Sequence, residues 1–91
     1  MPNDALLWNS PPPPPRKPRP AELIWSMRKP NGKTMDAFLR GQGEYGWECQ
    51  FFFNGEFLQG RLWTTRAQAR AQAEEKRQEL EGEGWVVLVR A

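Results

Sequence analysis

Three groups of residues in this 91-residue chain have types and spacing that chemistry could use. Gly41-x-Gly43-x-x-Gly46 has the spacing of a loop that brings backbone amides against a pyrophosphate. That use needs a parallel strand before the loop and a helix after it. Here the following residues, Trp47 to Phe53, are strand formers, so the glycines are expected to serve a flexible hairpin connection. Glu44 and Glu48 with Asp36 imitate an acid pair, although surface carboxylates are the ordinary case. Cys49 falls on the core side of a strand, where a thiol is inert packing.

The third group is aromatic and basic. Phe38, Phe52 and Phe57, interleaved with Arg28, Arg40 and Arg61, have the chemistry that stacks and neutralises a single-stranded nucleic acid. They equally have the chemistry of an apolar protein contact with a polar rim.

Composition narrows these choices. The chain holds no His, the commonest general base and metal ligand. Its single Cys excludes an internal disulfide and a cysteine-based zinc cluster. No enzyme, cofactor, metal or small-molecule substrate is expected. No apolar run approaches the length of about 18 residues that a membrane span needs. Leu6-Leu7-Trp8 is too short for a signal-peptide core, so a cytoplasmic location is expected.

The net charge of +2 is not spread evenly. Residues 1–20 carry Asp4 against Arg16, Lys17 and Arg19, and the other 71 residues carry ten charges of each sign. Eight of the nine prolines also lie at or before Pro20. Proline fixes φ and lacks an N–H, so residues 1–20 are expected to be an extended, basic, polyproline-like arm. Pro12-x-x-Pro15-x-Lys17 has the form of an SH3 ligand, a match that proline runs produce by chance; a plain linker is the simpler reading. Residues 21–91 are expected to form a single small α+β domain.

Within that domain the patterning predicts an antiparallel four-stranded meander, then one helix on one sheet face, then a C-terminal strand, in the order ββββαβ. A loop of Pro30-Asn31-Gly32 joins the first two strands and sets Met27 beside Met35, Trp25 beside Ala37 and Leu23 beside Leu39. Asn54-Gly55 is a two-residue hairpin signal. It sets Phe52 beside Phe57, Cys49 beside Gly60 and Glu48 beside Arg61. Thr65-x-x-Gln68 reads as a capping box opening a helix over 66–81, ended by Gly82 and Gly84. Ala69, Ala73 and Leu80, with the stem of Lys76, form its apolar stripe. Residues 85–89, Trp-Val-Val-Leu-Val, form the last strand, whose pairing edge is left open.

One helix covers one face. The expected core face holds Leu23, Trp25, Met27, Met35, Leu39, Trp47, Phe51 and Leu62. The other face then carries Ile24, Phe38, Phe52 and Phe57, with Trp63 near its end and Arg40 and Arg61 at its rim. A solvated sheet face should be mainly polar, and a patch of this kind is one that monomers hide. The expected function is therefore a non-enzymatic interaction or regulatory module, binding a protein partner or a second copy through this face. The alternative is single-stranded nucleic-acid binding on the same face, with Arg16, Lys17 and Arg19 of the arm gripping phosphates. Arg61, Arg66 and Arg70 are a further candidate basic patch, set against the simpler reading of charge drift on a solvated helix face.

Overall fold

Runs of β-branched and aromatic residues broken by Gly, Pro and Asn give five strands, and the Ala-, Gln- and Glu-rich run gives the one helix. The computed structural model describes residues 21–91; the arm expected over residues 1–20, with Arg16, Lys17 and Arg19, lies outside the described residues. The strands are β1 (Glu22–Arg28), β2 (Thr34–Gly41), β3 (Trp47–Phe53), β4 (Glu56–Trp63) and β5 (Val86–Arg90), and the helix is α1 (Arg66–Gly82). The order ββββαβ and the α+β class are those the patterning predicts.

The sheet is antiparallel throughout, in the order β4-β3-β2-β1-β5. The edge left open by the sequence is thus settled: β5 lies beside β1, and β4 and β5 are the two edge strands. The turns are the expected ones. Gly32 sits at φ 91 and donates its amide to Lys29, closing the Pro30-Asn31-Gly32 loop. Asn54 and Gly55 both have positive φ, 50 and 83, as a type I′ turn requires. Gly43–Tyr45 forms a 3-10 turn between β2 and β3, so the glycine triplet serves a connection and not a strand-to-helix phosphate loop.

The helix opens on a complete capping box. Thr65 accepts from the Gln68 amide, and the Gln68 side chain accepts from the Thr65 amide. Its buried stripe is Ala69, Ala73, Arg77 and Leu80. Arg77 therefore takes the place expected of the Lys76 stem. The small residues bring the helix close enough for the buried Trp25 indole to donate to the Ala73 carbonyl at 2.7 Å, which satisfies its polar end. The core comprises Ile24, Trp25, Met27, Met35, Ala37, Leu39, Cys49 and Phe51 of the sheet with Ala69, Ala73, Leu80 and Trp85.

Three strands are irregular, each by one extra residue. Ile24 is inserted opposite the Leu23–Phe38 and Trp25–Ala37 pairs, Leu58 between Phe57 and Gln59, and Leu88 between Val87 and Val89. One extra residue flips every side chain beyond it to the other face. Five expectations are overturned by this, one being Trp63, expected near the end of the open face, which pairs with Trp47 on the helix side. Ile24, expected on the open face, is 0% exposed in the core. Leu23, expected in the core, pairs with Phe38 instead. Leu62, also expected in the core, is 53% exposed and pairs with Glu48. Arg61, expected opposite Glu48 on the open face, lies opposite buried Cys49 on the helix side.

Small residues stand at or near both insertions that move an expected residue. Ala37 pairs with Trp25 next to the inserted Ile24, and both large side chains are fully buried. The Asn54-Gly55 turn holds Phe52 opposite Phe57, and the slip beyond it sets Gly60 opposite Gln50. A Cβ at Gly60 would stand 2.6 Å from the Glu48 carboxylate and 3.3 Å from the Phe57 ring, so a larger residue there would push the end of the Glu48 side chain aside.

Candidate functional site

Pleating of β2, β3 and β4 sends alternate side chains to the face away from the helix. On that face Asp36, Phe38 and Arg40 come from β2, Glu48, Gln50 and Phe52 from β3, and Phe57, Gly60 and Leu62 from β4. Phe38 and Phe52 meet edge to face, with ring centroids 5.3 Å apart and planes at 80°. Phe52 and Phe57 repeat the arrangement at 5.7 Å and 79°. The three rings thus form one ladder across three strands, a geometry that aromatic quadrupoles favour. Its outer ring, Phe57, is 57% exposed, while Phe38 and Phe52 are half-buried.

The polar neighbours of the ladder are fixed. Gln42 and Gln50 both donate to Glu48 Oε1, at 3.1 and 2.6 Å. Ser26 donates to Asp36 Oδ1. The Arg40 Nε is buried and has no hydrogen-bond partner among the described residues. Ala21, Asp36, Phe38, Arg40, Gln50 and Phe52 line a shallow depression of roughly 340 Å³.

The residues expected at this face are therefore only partly brought together. Phe38, Phe52, Phe57 and Arg40 share it. Ile24 is packed beneath it in the core. Arg61 stacks on the Trp63 ring, 4.1 Å from its centroid, and Trp63 itself faces the helix, donating to Gln72 Oε1 at 2.6 Å. Among the described residues of this face, Arg28 and Arg40 stand against Asp36 and Glu48, so its formal charges balance.

Apolar residues that pattern reading missed extend the surface. Leu62 lies on the same face of β4, opposite Glu48. Val86 and Val89, opposite Arg28 and Ser26, add half-exposed apolar area on β5. No feature of the amino-acid pattern marks the insertions that put Leu62 and Val89 there.

The helix-side cations are engaged and do not form a free patch. Arg66 pairs with Glu22 at the start of β1. Arg70 donates to the Ala91 carbonyl at 3.0 Å. Arg77 bridges Glu74 at 2.8 Å and Glu81 at 2.7 Å, and Arg90 reaches Glu74 at 3.1 Å. Burial works to raise the Glu74 carboxyl, but the hydrogen bond from Arg77 and the charges of Arg90, Arg77 and Arg70 hold it below its ordinary range. The hydrogen bond to Glu74 raises Arg77 correspondingly. Cys49 is buried, and burial, with Glu48 alongside, pushes its thiol up to about 12. A thiol so rarely ionised is a poor nucleophile at neutral pH.

Comparison with protein-family models, with curated proteins and with solved structures finds no match. The functional reading accordingly rests on the aromatic face itself. Among the described residues no helix is long and apolar enough to cross a membrane.

Proposed function

We propose that this chain is a small, non-enzymatic interaction module of the cytoplasm that binds a protein partner, or a second copy of itself, through the Phe38–Phe52–Phe57 face. The observation that carries the reading is the edge-to-face ladder, which stands on the side of the sheet opposite the helix and ends in an exposed ring. Rings held this way keep little rotational freedom to lose on binding, which makes them efficient anchors. Leu62 adds apolar area farther along the same face of β4, and Arg40, Asp36 and Glu48 supply a polar rim.

The test uses the full chain and its Phe52→Ala/Phe57→Ala double variant. Light scattering gives the solution mass, and cross-linking reports any partner. The expected result is a dimer, or a captured protein, present with the native chain and lost in the double variant while the circular dichroism melt stays cooperative. A double variant that unfolds would assign the rings to the core and end the reading.

Single-stranded nucleic acid is the weaker alternative. It draws on Phe38 and Phe52 beside Arg40, and without Arg61 it leans on Arg16, Lys17 and Arg19 of the arm. Its signature is a steep fall of log affinity for an oligonucleotide with log salt. No binding at low salt ends it.

A further inference from the structure

We infer that the partner of the aromatic face is a second copy of this chain, docked sheet to sheet about a two-fold axis that crosses the strands at Phe38. The inference rests on the reading of this face as a binding surface and names its occupant.

The charges of the face point to such a partner. Among the described residues every ion pair includes a residue of the helix, and Arg28, Asp36, Arg40 and Glu48, the charges of the open face, make none. The two carboxylates accept from neutral groups instead, Asp36 from Ser26 and Glu48 from Gln42 and Gln50. A face that carries both signs without pairing them is a poor match for a partner of one sign. It matches a copy of itself, provided the symmetry brings unlike charges together.

Strand β2 supplies that symmetry. Asp36 and Arg40 share the open face with Phe38 and stand two residues to either side of it, each about 7 Å away along the strand. A two-fold axis that lies in the interface and crosses β2 at Phe38 reverses the strand direction. It sets Asp36 of each copy against Arg40 of the other, with Phe38 against Phe38 between the two contacts. An axis along the strand would instead set each charge against its own kind. The pairing of β3 and β4 extends the match. Phe57 is level with Phe52 and Asp36, and Leu62 is level with Glu48 and Arg40, so the same axis sets exposed Phe57 against exposed Leu62. Gln50 is level with Phe38 and meets its own copy. Phe52 falls against Glu48, whose carboxylate Gln42 and Gln50 already satisfy. Facing sheets lie about 10 Å apart with their strands about 30° from aligned, a gap that a long Arg meeting a short Asp bridges.

The experiment follows self-association of the full-length chain by sedimentation over a range of concentrations. The native chain is expected to dimerise. Asp36→Arg and Arg40→Asp each put like charges into both contacts of the pair, and each is expected to weaken the dimer by at least about tenfold. Mixing the two single variants in equal amounts restores unlike charges in both contacts of the mixed pair. The mixture is expected to dimerise within about threefold of the native affinity, a recovery that a variant unable to fold does not give. Single variants that dimerise as the native chain does, or a mixture that stays monomeric, would overturn the two-fold at Phe38. Loss of the dimer in Phe52→Ala/Phe57→Ala would in that case keep the face reading and overturn only the axis. A native chain that is monomeric throughout overturns the second copy as partner, and the face reading then stands or falls on the capture of a foreign protein.

Discussion

Ile24 and Phe57 show how little residue type alone decides. Both are large and apolar, both lie in strands, and both fit the open face by simple alternation. Ile24 is completely enclosed, whereas Phe57 leaves more than half its surface in water. Truncating Ile24 removes buried methyl groups and leaves a cavity, so Ile24→Ala is expected to cost about 2–5 kcal/mol. Phe57→Ala loses its edge contact with Phe52 and little burial, and is expected to cost about 1 kcal/mol. Urea denaturation of the two variants measures the difference. Equal losses would mean that Phe57 is as much a part of the core as Ile24.

At the scale of elements the connections matter more than the strands they join. The glycine triplet was legible as a connection because a strand follows it. What the sequence could not show is how close Gly46 comes to the end of β4. Gly46 sits at φ 101, and a Cβ there would stand 2.2 Å from the Trp63 carbonyl oxygen. Gly32 has a similar φ of 91 but open space around it. Gly32→Ala should therefore cost only the left-handed backbone penalty, about 1–2 kcal/mol. Gly46→Ala adds a backbone clash and should cost at least about 2 kcal/mol more. Thermal melts of the two variants test this, and the order reversed would refute the close approach. The turns and the helix cap were readable for the same reason: they depend on a few adjacent residues whose backbone preferences are local.

For the whole molecule, the helix is tied to the sheet by charges that look misplaced along the helix alone. Arg66 near its start and Glu81 near its end oppose the helix dipole. In the fold Arg66 meets Glu22 of β1, while Arg77 and Arg90 share Glu74, joining the helix to β5. Because Glu74 is held below its ordinary value of 4.5, it contributes stability that is present above that value and lost as pH falls through its lowered one. Glu74→Gln is expected to lower the urea midpoint at pH 7 and to flatten its fall as pH drops below about 4.5. An acid limb identical to that of the native chain would show that the network contributes nothing. The same charges explain why no free basic patch exists on the helix side among the described residues: Arg61, Arg66 and Arg70 each have a partner within the fold.

The amino-acid pattern by itself determined the α+β class, the element order, the two hairpin turns, the capped helix and the division between a proline-rich arm and a charge-balanced body. These follow from local backbone preference and from the periods of 2 and 3.6, which act within a few residues. It also determined that one helix is too little to cover the aromatic residues present. Tertiary structure decided which of them face outward. Three single-residue insertions, at Ile24, Leu58 and Leu88, moved Ile24 and Arg61 off the open face and Leu62 onto it. Where a residue is inserted depends on how strands distant in sequence pack against one another, and that packing exists only once the sheet has formed.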